Sequence, residues 1–169
     1  YAEAKLINHF KVFELFEKYN WNIYSGIMFN HESEFRKDEY LIMKIINAAY
    51  EIKNKNKNNL TVGSLDYKRD WLYAQDTVDA VYMMVNFGYS NSHIISSGKT
   101  YSIKQMIMII FEYFSLDWNK YVEIDDSLLR DGDPIEISGN PENLIKETGW
   151  SPQYSFEDMI LKILNSKFS

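Results

Sequence analysis

The chain has 169 residues, of which 46% are hydrophobic and 16% aromatic, and it carries a formal net charge of -6. That content supports a packed core and excludes a disordered chain, while the acidic balance excludes a main partner such as nucleic acid or an anionic membrane surface, which would demand clustered Lys and Arg. Cysteine is absent, which removes disulfide frameworks and thiolate metal sites; no signal-peptide pattern or uninterrupted apolar span is visible, so the expectation is a cytoplasmic protein, off the membrane and without a metal.

The first predicted element is a helix over residues 2–19, with Leu6, Phe10, Phe13 and Phe16 on one stripe thickened by Ile7, Val12 and Leu15; so wide a stripe predicts deep burial. "NWNIYSGIMFN" follows, a β-branched and aromatic run that predicts a central strand ending near Phe29. Residues 39–52 return to helical spacing through Leu41, Ile45, Ala49 and Ile52. "KNKNKNN" then forms a solvated, low-complexity turn before a short strand at "LTVG". A helix over residues 77–87 and a strand at "HIIS" come next, then a helix opened by the capping-box pair Ser102 and Gln105. Asn140 before Pro141 reads as a helix start and Gly149 as its stop. Ser155 with Asp158 opens the last helix, whose Ile160, Ile163 and Leu164 dock on the domain. Strands alternating with helices predict α/β architecture with a smaller mixed C-terminal lobe. None of the seven glycines belongs to a Gly-x-Gly-x-x-Gly phosphate loop.

The chain opens with "YAEAK", on Tyr1 where a polypeptide normally has Met, so the expectation is a portion of a longer protein. On a helix, positions i and i+4 share a face, which puts the Tyr1 phenol and the Lys5 ammonium into one cleft. A free phenol ionises near pH ~10 and is a poor base at neutral pH, but a neighbouring cation favours the phenolate. Spacing alone favours the plainer reading, an exposed aromatic beside a solvated lysine, because Tyr-x-x-x-Lys arises often by chance.

Beyond that pair, "SGIMFNHES", "VGSLDYKRDWLYAQDTVDAVYMM", "SGKTYSIKQMI" and "ETGWSPQYSFEDMI" stand in an order that covers nearly the whole chain. In this order the sequence resembles the extended short-chain dehydrogenase/reductases and, within them, the GDP-mannose 4,6-dehydratase family. The resemblance implies the C-terminal portion of a Rossmann-type parallel sheet plus a small mixed α/β substrate-binding lobe. Residues 1–30 would end the Rossmann core, residues 31–169 would form mostly the lobe with returning core segments, and the N-terminal cofactor-binding half would be absent. It further implies an NADP-dependent lyase that oxidises C4 of the hexose, eliminates water across C5 and C6, and returns the hydride to C6. The product would be GDP-4-keto-6-deoxy-mannose.

By that resemblance Tyr1 would be the catalytic base and Lys5 would hold the nicotinamide ribose, while the family's catalytic Thr or Ser and Glu would lie upstream of Tyr1. His31 and Arg36 would contact the cofactor and Asn30 the substrate. Phe35 stands where the family has the first of two adjacent basic residues, in a loop that reaches a neighbouring subunit's cofactor. The GDP-sugar would meet Lys44, Arg69 and Arg130, cations dispersed in sequence that can converge on a diphosphate. The plainer readings are a snorkelling helix lysine for Lys44 and a charged surface turn at "YKRDW", with Arg69 paired to Asp70. In "LLRDGDP" Asp131 and Gly132 replace the family's Pro-Ala after the arginine. The expected assembly is a homo-oligomer, dimer or tetramer. The alternatives are a GDP-heptose 4,6-dehydratase, a sugar-nucleotide epimerase or reductase, or a non-enzymatic remnant that binds nucleotide or a partner.

Overall fold

A computed structural model describes residues 1–87 and 92–168. Helix α1 (Ala2–Tyr19) leads into β1 (Ser25–Met28). A second strand, β2 (Asn30–Glu32), precedes α2 (Leu41–Lys53) and β3 (Leu60–Val62). Strand β4 (Lys68–Tyr73) runs directly into α3 (Ala74–Phe87), and β5 (Ser92–Ile95), β6 (Thr100–Ser102) and α4 (Ile103–Tyr113) follow. The last elements are β7 (Val122–Ile124), β8 (Glu136–Ile137), α5 (Glu142–Thr148) and α6 (Phe156–Phe168). Pairing is parallel for β1 with β5, β2 with β4, β3 with β7 and β4 with β8, and antiparallel for β4 with β6. This is the expected mixed α/β class with parallel pairs.

Strand β4 is the wall between two cores. Its side chains alternate, so Trp71 and Tyr73 join a cluster built on Ile45, Ile46, Ile107 and Ile160 from α2, α4 and α6. Leu72 points the other way, to Ala80, Met84, Ile95, Leu144 and Trp150. The plainer reading of "YKRDW", a charged surface turn, does not hold; its charges cluster at the amino end of a strand whose last four residues are buried. Tertiary cover on both faces decides that element, and no local charge pattern announces it.

Helix α1 departs from expectation in the other direction. It contributes no buried residue, and Leu6, Ile7 and Phe10 are 55%, 61% and 62% exposed. The stripe is real, but these residues contain no layer to cover it. The helix is tied to β1 by His9 Nδ1 and Ser25 Oγ at 2.8 Å. Strand β1 is not central either: it ends at Met28 and has β5 as its one neighbour among the described residues, leaving Ile27 and Met28 exposed.

The predicted caps form. Ser102 and Gln105 complete a reciprocal capping box on α4, and Ser155 and Asp158 exchange the equivalent bonds at α6. α5 begins one residue later than expected, with Pro141 and not Asn140 at the N-cap; Asn140 Oδ1 accepts the Glu142 N–H at 3.0 Å, and Gly149 closes the helix at φ 70. No helix among the described residues is long and apolar enough to cross a membrane.

Candidate active site

Tyr1 caps α1 through its backbone: its carbonyl accepts the Lys5 N–H at 3.1 Å. One helical turn then brings Lys5 Nζ to 5.4 Å from the centre of the Tyr1 ring. The two side chains share a face, as the four-residue spacing requires, and the phenol is open to solvent.

A second set of groups runs along β2 and past its carboxyl end, the end at which parallel α/β sheets bind ligands. Asn30 opens the strand opposite Trp71 and is exposed. His31 Nδ1 lies 3.0 Å from the Phe29 carbonyl, so Nδ1 carries the proton and Nε2 is left for another partner. Glu32 is 5% exposed, opposite Tyr73 in the register. The chain then turns at residues 33–36, where the Arg36 N–H donates to the Ser33 carbonyl at 3.1 Å and folds Arg36 back over Glu32. Arg36 Nε reaches Glu32 Oε2 at 2.8 Å, as an ion pair and not as a directed hydrogen bond. The guanidinium also lies over the Tyr40 ring, 3.7 Å from its centre. Burial pushes the Glu32 carboxyl up to about 7, against the opposing pull of Arg36. Beside it, the Tyr73 hydroxyl donates to Glu34 at 2.8 Å, and burial with that acceptor pushes the phenol up to about 12.

The third set lies at the amino end of β4. Arg69 Nη2 donates to Asp133 at 2.7 Å, and Nη1 donates to the carbonyls of Lys68 and Ile135 at 2.8 and 3.3 Å. Asp70, its partner on the plainer reading, is elsewhere. Successive strand residues face opposite ways, so Asp70 turns under the sheet and accepts the N–H groups of Ser97, Gly98 and Gly139 at 2.7, 2.9 and 3.4 Å. Arg130 is exposed, and its carbonyl accepts the Asp133 N–H at 3.2 Å, so Asp133 joins Arg69 to the Arg130 turn. Lys44 stands exposed on α2 and is joined to neither arginine. A shallow cleft of about 470 Å³ lined by Gln153, Tyr154, Asp158, Leu161, Lys162 and Asn165 contains none of these groups.

Sequence reasoning passed over Glu32, Tyr40 and Asp133. Glu32 and Tyr40 stand four residues before and four after Arg36. Outside a helix that spacing carries no information, and the two turns over residues 33–40 create the contact. Asp133 is remote from Arg69 in sequence and left no local signal.

The family model described as GDP-mannose 4,6 dehydratase matches residues 1–163. Among curated proteins, GDP-mannose 4,6 dehydratase 2 of Arabidopsis thaliana is 29% identical over 160 residues, 95% of this chain and 43% of its own length. The GDP-mannose 4,6-dehydratase of Sinorhizobium fredii is 25% identical, covering 100% of this chain and 53% of its own. The chain thus spans about half the length of the curated relatives it matches. Among solved structures, RMD from Pseudomonas aeruginosa complexed with NADPH superposes with a TM-score of 0.80 at 22% identity, covering 91% of this chain and 50% of its own. Pal from Bacillus thuringiensis superposes at 0.83 with 19% identity, covering 100% and 53%. A dTDP-glucose 4,6-dehydratase from Bacillus anthracis in complex with NAD gives 0.80 at 17%, covering 95% and 50%. At these identities the superpositions establish the Rossmann-type fold.

Proposed function

We propose that this chain, which belongs to the GDP-mannose 4,6-dehydratase family, works as the C-terminal half of an enzyme that converts GDP-mannose to GDP-4-keto-6-deoxy-mannose with NADP. Residues 1–30 end the cofactor-binding core, and residues 31–169 form mostly the sugar-nucleotide lobe with returning core segments. The observation that carries the reading is the approach of Lys5 Nζ to the Tyr1 ring at 5.4 Å, within the matched segment.

The residues suit an anionic dinucleotide: an exposed phenol beside an ammonium, a half-buried histidine with Nε2 to spare, and a half-buried guanidinium held past the end of a parallel strand. The phosphate loop has to be supplied by another segment, since no glycine-rich loop occurs here. NADP, when bound, supplies the hydride acceptor for C4 and the donor to C6. Tyr1 Oη takes the proton of the C4 hydroxyl, and Lys5 holds the nicotinamide ribose. His31 and Arg36 hold the cofactor, and Asn30 orients the sugar. Arg69 and Arg130, linked through Asp133, meet the diphosphate, together with Lys44. The assembly in this reading is a homo-oligomer, and Phe35, 87% exposed, departs from the basic residue that the resemblance implies on the loop towards a neighbouring subunit. A cytoplasmic location suits the absence of cysteine.

The test is turnover of GDP-mannose by the intact protein, followed by chromatography of the 4-keto product. Tyr1→Phe should lower kcat by about 10²–10⁴-fold with sugar-nucleotide binding largely retained, because only the proton acceptor is removed. Full turnover by Tyr1→Phe would end the catalytic assignment.

A further inference from the structure

We infer that Glu32 and Tyr40 are positioning residues that hold the Arg36 guanidinium as a preformed two-pronged site for a phosphate of the cofactor. This rests on the reading above that Arg36 meets the cofactor. Two sides of the guanidinium are already taken: Nε by Glu32 at 2.8 Å, and one face by the Tyr40 ring at 3.7 Å. The terminal nitrogens Nη1 and Nη2 make no hydrogen bond among the described residues, and the side chain is 30% exposed. That is the edge with which arginine binds a phosphate through two parallel N–H bonds. The clamp is built from local turns. The Arg36 N–H to Ser33 carbonyl bond brings the guanidinium over Glu32, and the Tyr40 N–H to Lys37 carbonyl bond at 3.2 Å brings the ring under it.

A core role does not account for Glu32. Burying a carboxylate opposes folding, and a neutral side chain of equal volume fills the same space without that penalty. The carboxyl therefore serves Arg36. A long side chain fixed before the ligand arrives does not have to be ordered on binding.

The experiment is a fluorescence titration of NADPH into the intact protein, with Arg36→Ala, Glu32→Gln, Tyr40→Leu and the double variant Glu32→Gln/Arg36→Ala. Arg36→Ala should weaken binding about ten- to hundredfold, the loss of a charge-assisted contact. Glu32→Gln and Tyr40→Leu should each weaken it about three- to tenfold, the cost of ordering the freed side chain. In the Arg36→Ala background Glu32→Gln should do nothing further, because it acts through the guanidinium. Should Glu32→Gln fail to fold, Tyr40→Leu carries the same cycle. Unchanged or tighter binding by Glu32→Gln, or an equal loss with and without Arg36, overturns the positioning role and leaves the Arg36 contact standing. Unchanged binding by Arg36→Ala overturns that contact and this inference with it.

Discussion

Glu32 shows how one residue at a site acts against the fold that carries it. Burial holds its proton in the folded chain to about pH 7, whereas the unfolded carboxyl releases it near 4.5. A raised carboxyl favours folding while protonated. The contribution is therefore whole below about pH 4.5 and is lost as pH rises through about 7. The loss amounts to about 3 kcal/mol. Glu32→Gln has no proton to release, so in ligand-free protein the stability difference between it and the parent should shift in its favour by that amount between pH 4 and 8, read from denaturant midpoints. A gap that stays constant with pH would show that the carboxyl is not held neutral. The ion pair with Arg36 was hidden in the sequence because four-residue spacing joins side chains only on a helix. The Tyr1 and Lys5 pair, which does lie on a helix, was legible from that same rule.

At the scale of elements, the ends of helices were the most readable feature, since a cap is a side chain bonded to backbone two or three positions away. The short strands β2, β6 and β8 were not readable, because two or three residues carry no periodicity and each exists through its pairing with β4. One contact between elements is unusually close. A Cβ on Gly139 would sit 2.8 Å from Phe29 Cε2 and against the buried Ser96 hydroxyl. The Gly139 N–H also donates to Asp70, so the backbone has little room to retreat. Gly139→Ala should destabilise by about 1–3 kcal/mol, the usual effect of forcing a methyl group into a filled site. The thermal midpoint of the intact protein measures it, and a midpoint equal to the parent's would mean that the loop shifts freely.

At the scale of the molecule, β4 divides two cores, one closed by α2, α4 and α6 and the other by α3 and α5. The face formed by α1 and β1 has no such cover: Leu6, Ile7 and Phe10 on the helix and Ile27 and Met28 on the strand are all more than two-fifths exposed. An apolar surface beside an unpaired strand edge drives association. Residues 1–169 expressed alone should therefore scatter light as associated species at micromolar concentration, and Phe10→Lys should shift them toward monomer. A monodisperse parent would show that this face needs no partner.

The sequence by itself determined the α/β class, the helix ends, the Tyr1 and Lys5 face and the family likeness, because each rests on nearest neighbours, helical periodicity or the order of short motifs. Tertiary structure alone decided that "YKRDW" is the first part of a buried strand, that Asp70 turns away from Arg69 to hold a loop, and that Glu32 grips Arg36. It also decided that the apolar stripe of α1 lies uncovered. In each case the deciding partner is either far away in the chain or brought near by a turn, and hydrophobic pattern records which side chains seek burial without recording what is there to bury them.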